Sequence, residues 1–304
     1  MLTGAVGLVP AGPVSAMPPL PPSACVAGAA QRLSADSLRA GDPADLSAAR
    51  VHRFEERTSR LLDGQPRLTR SGTDPSVVVD VAVHVVRPRA DTFEVGRRKA
   101  RRAVAVLTDG FAGAQHDSAH PSSFHFQLTS FDSTVNRAWY YADVSYADQR
   151  AVSREMKRTL HVGGPETLNL YLTRPRDLLG WATFPQDYTQ HPRQDGVVVS
   201  IGSLAGGDIP GYNLGDTVTH EVGHWLGLYH TFQGGCSLRN DRVRDTAAEA
   251  SPNYGCPARR DTCTDDKLLD PVHNFMDYSR DSCMYGFTGG QDARMLQHWQ
   301  AYRA

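Results

Sequence analysis

Residues 220–230 read His-Glu-Val-Gly-His-Trp-Leu-Gly-Leu-Tyr-His, and no other stretch constrains this chain as much. On a helix, His220 and His224 stand four residues apart on one face, within reach of a single ion. Glu221 follows the first of them, where a carboxylate reaches a water on the ion without occupying the ion. Gly227 can adopt the left-handed conformation that ends a helix, so the chain can turn and bring back His230 as third ligand. Three protein ligands and one open position describe a catalytic zinc rather than a structural one. The competing explanation is a buried amphipathic helix with satisfied histidines. Histidine supplies only 12 of 304 residues, so three at this spacing, with Glu and Gly in place, argue for the metal.

A second signal lies 46 residues after His230, in Asn274-Phe275-Met276-Asp277-Tyr278-Ser279. A Met-x-Tyr triplet alone carries no weight, since such triplets arise in any core. Its position does, because the same region holds Asp245-Thr246, Gly255-Cys256-Pro257, Asp261-Thr262-Cys263 and His273-Asn274-Phe275 in fixed order.

Taken with the run from His220 to Cys236, these segments resemble the pappalysin family of metzincin zinc proteases, and within it the short secreted microbial members. The resemblance covers about residues 165–298 and is weaker upstream. It implies an α/β (α+β) metzincin-like fold. A mixed twisted sheet and the zinc-site helix make an upper subdomain, and an irregular disulfide-stapled lower subdomain ends in a C-terminal helix. It implies a secreted, extracellular endopeptidase with one catalytic Zn²⁺ on His220, His224 and His230. Glu221 would be the general base, Met276 the apolar floor under the imidazoles, and Tyr278 a donor to the oxyanion. The segment Gly180-Trp181-Ala182-Thr183 resembles the family's sheet edge above the cleft, which binds extended peptide as an added strand. An ordinary edge strand ended by Pro185 is the plainer reading of those residues. One departure is visible: Ala247 follows Asp245-Thr246 where the family often has Pro, which alters a loop rather than the chemistry.

Composition agrees. With 32 Lys+Arg against 33 Asp+Glu the net charge is −1, so no global field draws the chain to nucleic acid or acidic membranes. No apolar stretch is long enough to span a membrane. The basic run Arg97-Arg98-Lys99-Ala100-Arg101-Arg102 reads as the wet face of a helix whose other side carries Val95, Val104, Leu107 and Phe111. Four of the five cysteines, Cys236, Cys256, Cys263 and Cys283, fall in the last quarter, which points to an oxidising compartment. Four cysteines allow three pairings and the sequence alone does not choose. The resemblance implies Cys236–Cys263 and Cys256–Cys283.

Residues 1–30 are uncharged and proline-rich and read as part of a secretory signal, though a basic n-region is missing. Residues 31–74 read as a propeptide, helical or loose, and 75–304 as the catalytic domain, with an upper subdomain at 75–230 and a lower one at 231–304. Cys25 is the odd cysteine. In related proteases a propeptide thiolate displaces the catalytic water, so Cys25 is a candidate cysteine switch, although the Arg-x-Cys-Gly-like context of relatives is absent around it. Patterning predicts strands at Val77–Val86, Phe124–Phe131, Leu168–Leu172 and Asp195–Ile201. It predicts helices at 94–113, 147–160, about 214–226 and 289–302. On the second strand, Phe124, Phe126, Leu128 and Ser130 should share a face.

Several acidic side chains crowd the loops after the motif, and Asp241, Asp245 and Thr246 form a candidate Ca²⁺ site. Asp281, after the Met-Asp-Tyr segment, is a candidate for attracting a basic side chain of the substrate. The expected partners are peptides or proteins, and the sequence does not give the oligomeric state. A zinc-binding module without proteolysis and a zinc amidohydrolase are the alternatives. The first would be favoured by loss of Glu221, which is present.

Overall fold

The computed structural model describes residues 1, 46–66, 68, 77–264 and 268–304, together with the backbone of 30–32. The elements run β1 (Ala30–Arg32), α1 (Ala48–Leu62), β2 (Val77–Arg87), α2 (Arg97–Phe111), β3 (Phe124–Val135), α3 (Arg137–Tyr140) and α4 (Gln149–Leu160). There follow β4 (Thr167–Thr173), β5 (Leu178–Ala182), β6 (Val197–Ser200), α5 (Asp216–Trp225) and α6 (Gly289–Tyr302).

The strands form one sheet in the order β1-β5-β6-β4-β2-β3. β3, β2, β4 and β6 are parallel, and β5 turns back antiparallel to β6. Central parallel strands are covered on both faces and read as continuous apolar runs. β2 obeys this, since every residue from Val81 to Val86 is buried. Its odd-numbered valines face α2: Val79 pairs with Phe126, whose ring meets Phe111 of α2 edge-on. The other face carries His84 stacked on Tyr171 and lies under α4, whose Met156 is buried in the core.

One predicted register is overturned on β3. The ladder pairs Val81 with Leu128 but Ala82 with Ser130, so Thr129 is an extra residue that bulges out. Ser130 therefore turns to the face opposite Leu128, and Phe131 takes the place beside Val83. The predicted strand at Asp195–Ile201 is shorter, because Ile201–Ser203 tightens into a 3₁₀ turn. The closing helix at 289–302 is found as predicted. Thr288 caps it and exchanges hydrogen bonds with Gln291 in a capping box.

α1 lies within the segment read as a propeptide and is amphipathic. It buries Val51, Phe54 and Thr58. Leu46, Val51 and Phe54 close over Phe184 and Tyr229 as a hydrophobic cluster separate from the main core. Glu55 accepts hydrogen bonds from Arg294 Nη2 (2.7 Å) and the Tyr229 hydroxyl (2.9 Å). Although burial raises it, the Arg294 guanidinium and the Tyr229 hydroxyl bring the Glu55 carboxyl down to about 2.

Between His230 and α6 the described backbone has no helix and only isolated bridges, at His120–Phe287 and Asn274–Gly286. Two disulfides hold this region, Cys236–Cys263 and Cys256–Cys283, the pairing the family resemblance implies. Each closes a 27-residue separation, and the two loops interlock in sequence. Among the described residues no helix is long and apolar enough to cross a membrane.

Candidate metal centre and peptide cleft

α5 begins where Gly215, at φ 109°, turns the chain beneath α2. All ten of its residues are buried, a cost the histidines meet with fixed partners. His220 Nδ1 lies 2.6 Å from the Phe275 carbonyl and His224 Nδ1 lies 2.8 Å from the Leu228 carbonyl. A carbonyl only accepts, so both Nδ1 atoms carry the proton and both Nε2 lone pairs are left facing inward. Gly227, at φ 98°, ends the helix, and a Cβ built there would overlap the His298 ring. The chain returns and places His230 Nε2 3.1 Å from His224 Nε2, which is also 3.1 Å from His220 Nε2.

Two unprotonated Nε2 atoms at that separation repel each other unless a cation sits between them. Zn–N bonds of about 2.0–2.1 Å in a tetrahedron bring ligand nitrogens to this kind of spacing. The donor set therefore fits zinc, and the Phe275 and Leu228 carbonyls already orient two of the three imidazoles. Burial, with His230 adjacent, pulls His220 down to about 3 and His224 well below its ordinary value. Neutral imidazoles are the form that binds a metal.

Met276 is buried, and its sulfur lies where a Cβ on Gly223 would stand. The glycine between the ligand histidines is thus the space into which the Met loop fits. That loop is tied on both sides: Thr231 N donates to Met276 O (3.2 Å), and Asn274 exchanges side-chain hydrogen bonds with Gln291 at the start of α6 (2.8 and 3.0 Å). The Tyr278 ring stands edge-on to His230 with centroids 4.9 Å apart, and its carbonyl accepts from the Tyr212 hydroxyl.

Glu221 is held against β5. A Cβ on Gly180 would come within 2.9 Å of Glu221 Cγ and 2.8 Å of the Val198 carbonyl. Of the residues read as substrate edge, Gly180, Trp181 and Ala182 pair with β6 on one side. On the other side β1 lies antiparallel, Gln31 opposite Gly180 and Ala30 opposite Trp181. Thr183 lies past the strand and turns inward, donating to Asp195 Oδ1 at 2.8 Å.

Other sequence-read sites fare differently. Asp241 and Thr246 are buried, and Asp241 Oδ1 accepts from the Val243 amide at 2.9 Å. Asp245 accepts from the Thr288 hydroxyl (2.7 Å) and the Gly290 amide (2.8 Å) at the start of α6. Asp281 accepts from the Leu214 and Gly215 amides (2.7 and 3.1 Å) just before α5. Cys25 lies outside the described residues. Sequence reasoning missed Asp195 and Arg303, which meet in a fully buried ion pair at 2.9 Å. Nothing local marks either one.

Comparison with known proteins agrees with this geometry. Residues 179–300 match the family model Peptidase_M43, pregnancy-associated plasma protein-A. An extracellular metalloprotease of Verticillium alfalfae is 45% identical over 205 residues, 66% of this chain and 69% of that protein. One of Sordaria macrospora is 38% identical over 256 residues, 81% of this chain and 84% of the relative. Mature mirolysin of Tannerella forsythia, solved with a cleaved peptide, superposes with TM-score 0.63 at 25% identity, over 76% of this chain and 97% of that one. A promirolysin mutant superposes at 0.67, over 87% of this chain and 91% of that one. This chain belongs to the pappalysin family of extracellular metalloproteases, peptidase family M43.

Proposed function

We propose that the chain hydrolyses peptide bonds at a zinc ion held by His220, His224 and His230, with Glu221 as general base. The observation that carries this reading is the convergence of three Nε2 atoms, on His220, His224 and His230, with the Nδ1 atoms of His220 and His224 tied to backbone carbonyls. His220, His224 and His230 would hold the zinc, which when bound would supply Lewis acidity to a water and to the scissile carbonyl. Glu221, one residue along α5 from His220, takes the proton from the attacking water and delivers it to the leaving amine. The Tyr278 hydroxyl supports the negative charge that develops on the carbonyl oxygen. An extended substrate lies along β5, and its main-chain groups supply affinity independent of sequence.

The segment before β2 acts as a pro-segment. Two observations support this: β1 already occupies the outer edge of β5, and α1 is seated on Phe184, Tyr229 and Arg294. The match to promirolysin also extends over more of this chain than the match to the mature form. Cys25 as a thiolate on the zinc belongs to the same reading. Calcium on Asp241, Asp245 and Thr246 belongs to this proposal too, with Asp245 also accepting hydrogen bonds at the start of α6.

Glu221→Ala is expected to keep stoichiometric zinc by elemental analysis and to lose casein cleavage, whereas His230→Ala is expected to lose the metal as well. Cleavage by Glu221→Ala at the wild-type rate would sink the assignment. Peptides should be hydrolysed and amidated small molecules left intact, which separates the protease from an amidohydrolase.

A further inference from the structure

Asp195 lies in the loop before β6 and is buried, with 1% of its surface exposed. Four side-chain donors converge on its carboxylate. The Thr183 hydroxyl, at the end of β5, donates to Oδ1 at 2.8 Å. Trp225 Nε1, on the last residue of α5, donates to Oδ2 at 2.8 Å. Arg303 donates from Nη1 to Oδ2 at 2.9 Å and from Nη2 to Oδ1 at 3.3 Å. The same guanidinium covers the Trp225 ring, 3.5 Å from its centroid, and donates from Nε and Nη2 to the Trp225 carbonyl at 3.1 and 2.9 Å. That carbonyl is one of the last of α5, left without a partner inside the helix. Despite burial, which raises it, the Arg303, Trp225 and Thr183 donors hold the Asp195 carboxyl below its ordinary value.

One carboxylate therefore joins the strand that carries the peptide edge to the helix that carries His220, Glu221 and His224. Trp225 directly follows His224, and Thr183 directly follows Ala182 of β5. We propose that Asp195 is a positioning residue for the hydrolysis, setting the distance between the substrate strand and the zinc helix, with Arg303 fixing it in place. This rests on β5 as the substrate strand and on α5 as the zinc helix. Asp195 touches neither substrate nor metal. Its effect passes through one hydrogen bond to each side, and the two arms can be cut separately.

The test uses the full chain after activation, with a quenched fluorescent casein peptide and elemental analysis for zinc. Trp225→Phe cuts the helix arm and keeps a ring under Arg303. It should lower kcat about tenfold with KM within about twofold, and shift the visible absorption of the cobalt-substituted enzyme. Thr183→Val cuts the strand arm and should raise KM several-fold while kcat and the cobalt spectrum stay put. Asp195→Asn, isosteric and uncharged, should show both changes. A structural role alone would lower the melting temperature of all three while the zinc-loaded, folded enzyme keeps wild-type kcat, KM and cobalt spectrum, and that result overturns the proposal. Should β5 not be the substrate strand, Thr183→Val would leave KM unchanged while Trp225→Phe still lowered kcat, which would overturn the coupling. Activity surviving in Glu221→Ala would instead reject the zinc mechanism itself.

Discussion

Glycines 180, 223 and 227 each stand where a side chain would displace something the site needs: Glu221, the Met276 sulfur and the His298 ring respectively. Only Gly227 requires a left-handed backbone; the other two are small because another group must come close. Gly180→Ala should push the Glu221 side chain from β5 without touching the imidazoles. The expected result is a fall in kcat of about a hundredfold at unchanged zinc content, since displacing a catalytic group by about 1 Å costs that much. Asp216 gives a second prediction. Burial and the nearby Asp281 push its carboxyl up to about 7, with Gln115 donating to it at 2.8 Å. The folded form thus holds a proton that the unfolded chain, with an ordinary carboxyl, has released. Stability therefore falls as pH rises from about 4 to about 7. Asp216→Asn keeps the acceptor oxygen and should flatten this slope, which melting temperatures at pH 5 and pH 8 measure. Equal slopes in variant and wild type would reject the argument.

Secondary structure was largely legible because the core strands and the zinc helix carry periodic or β-branched patterns. The zinc helix appears at Asp216–Trp225, two residues shorter than predicted at its start, because Gly215 forms the turn before it. The bulge at Thr129 was not legible, since alternation along one strand does not reveal where its partner skips a residue. The region after His230 shows the same limit more strongly. It has little regular structure to predict, and its shape comes from two disulfides and a network around Asn274, Gln291 and Met276. Replacing Cys236 and Cys263 by serine should lower stability by about 3–4 kcal/mol, the loop-closure value for such a separation. Denaturant unfolding under non-reducing conditions would show it. A loss below about 1 kcal/mol would mean the bridge constrains the unfolded chain far less than its loop implies.

In the whole chain, distant segments meet at the candidate metal site. His220 and His224 come from α5, His230 from the returning chain, and the carbonyl that orients His220 from Phe275, 55 residues on. Binding a metal to such a site favours the folded state by RT ln(1 + [Zn]/Kd), about 4 kcal/mol at a thousandfold excess over Kd. Chelation should therefore lower the melting temperature by roughly 10 °C in a domain of this size, and zinc should restore it. Chelator-treated enzyme that melts as before would place the metal outside the folded frame. The proposed pro-segment belongs to the same level. β1 and α1 contact the body at separate places, the sheet edge and the Phe184–Tyr229–Arg294 seat. Latency measured for Glu55→Gln should be shorter than for wild type, because the seat loses the charge that faces Arg294. A latency equal to wild type would show that β1 holds without α1.

Short-range chemistry lies open in the order of residues. The His-Glu-Val-Gly-His spacing, the glycine turn, the hydrophobic runs of β2, β4 and β6 and the capping box of α6 depend on neighbours within a few positions. The disulfide pairing and the role of Met276 were reached only through family resemblance, since no spacing rule selects them. Packing decided the rest. Asp245, a candidate metal ligand by sequence, accepts from the Thr288 hydroxyl and the Gly290 amide of α6, contacts that only the packing reveals. Asp195 and Arg303, 108 positions apart, look like surface charges until the fold buries both and aims four donors at one carboxylate. Such a buried charge is tolerated only where its partners are fixed by tertiary structure, and local sequence carries no record of who those partners are.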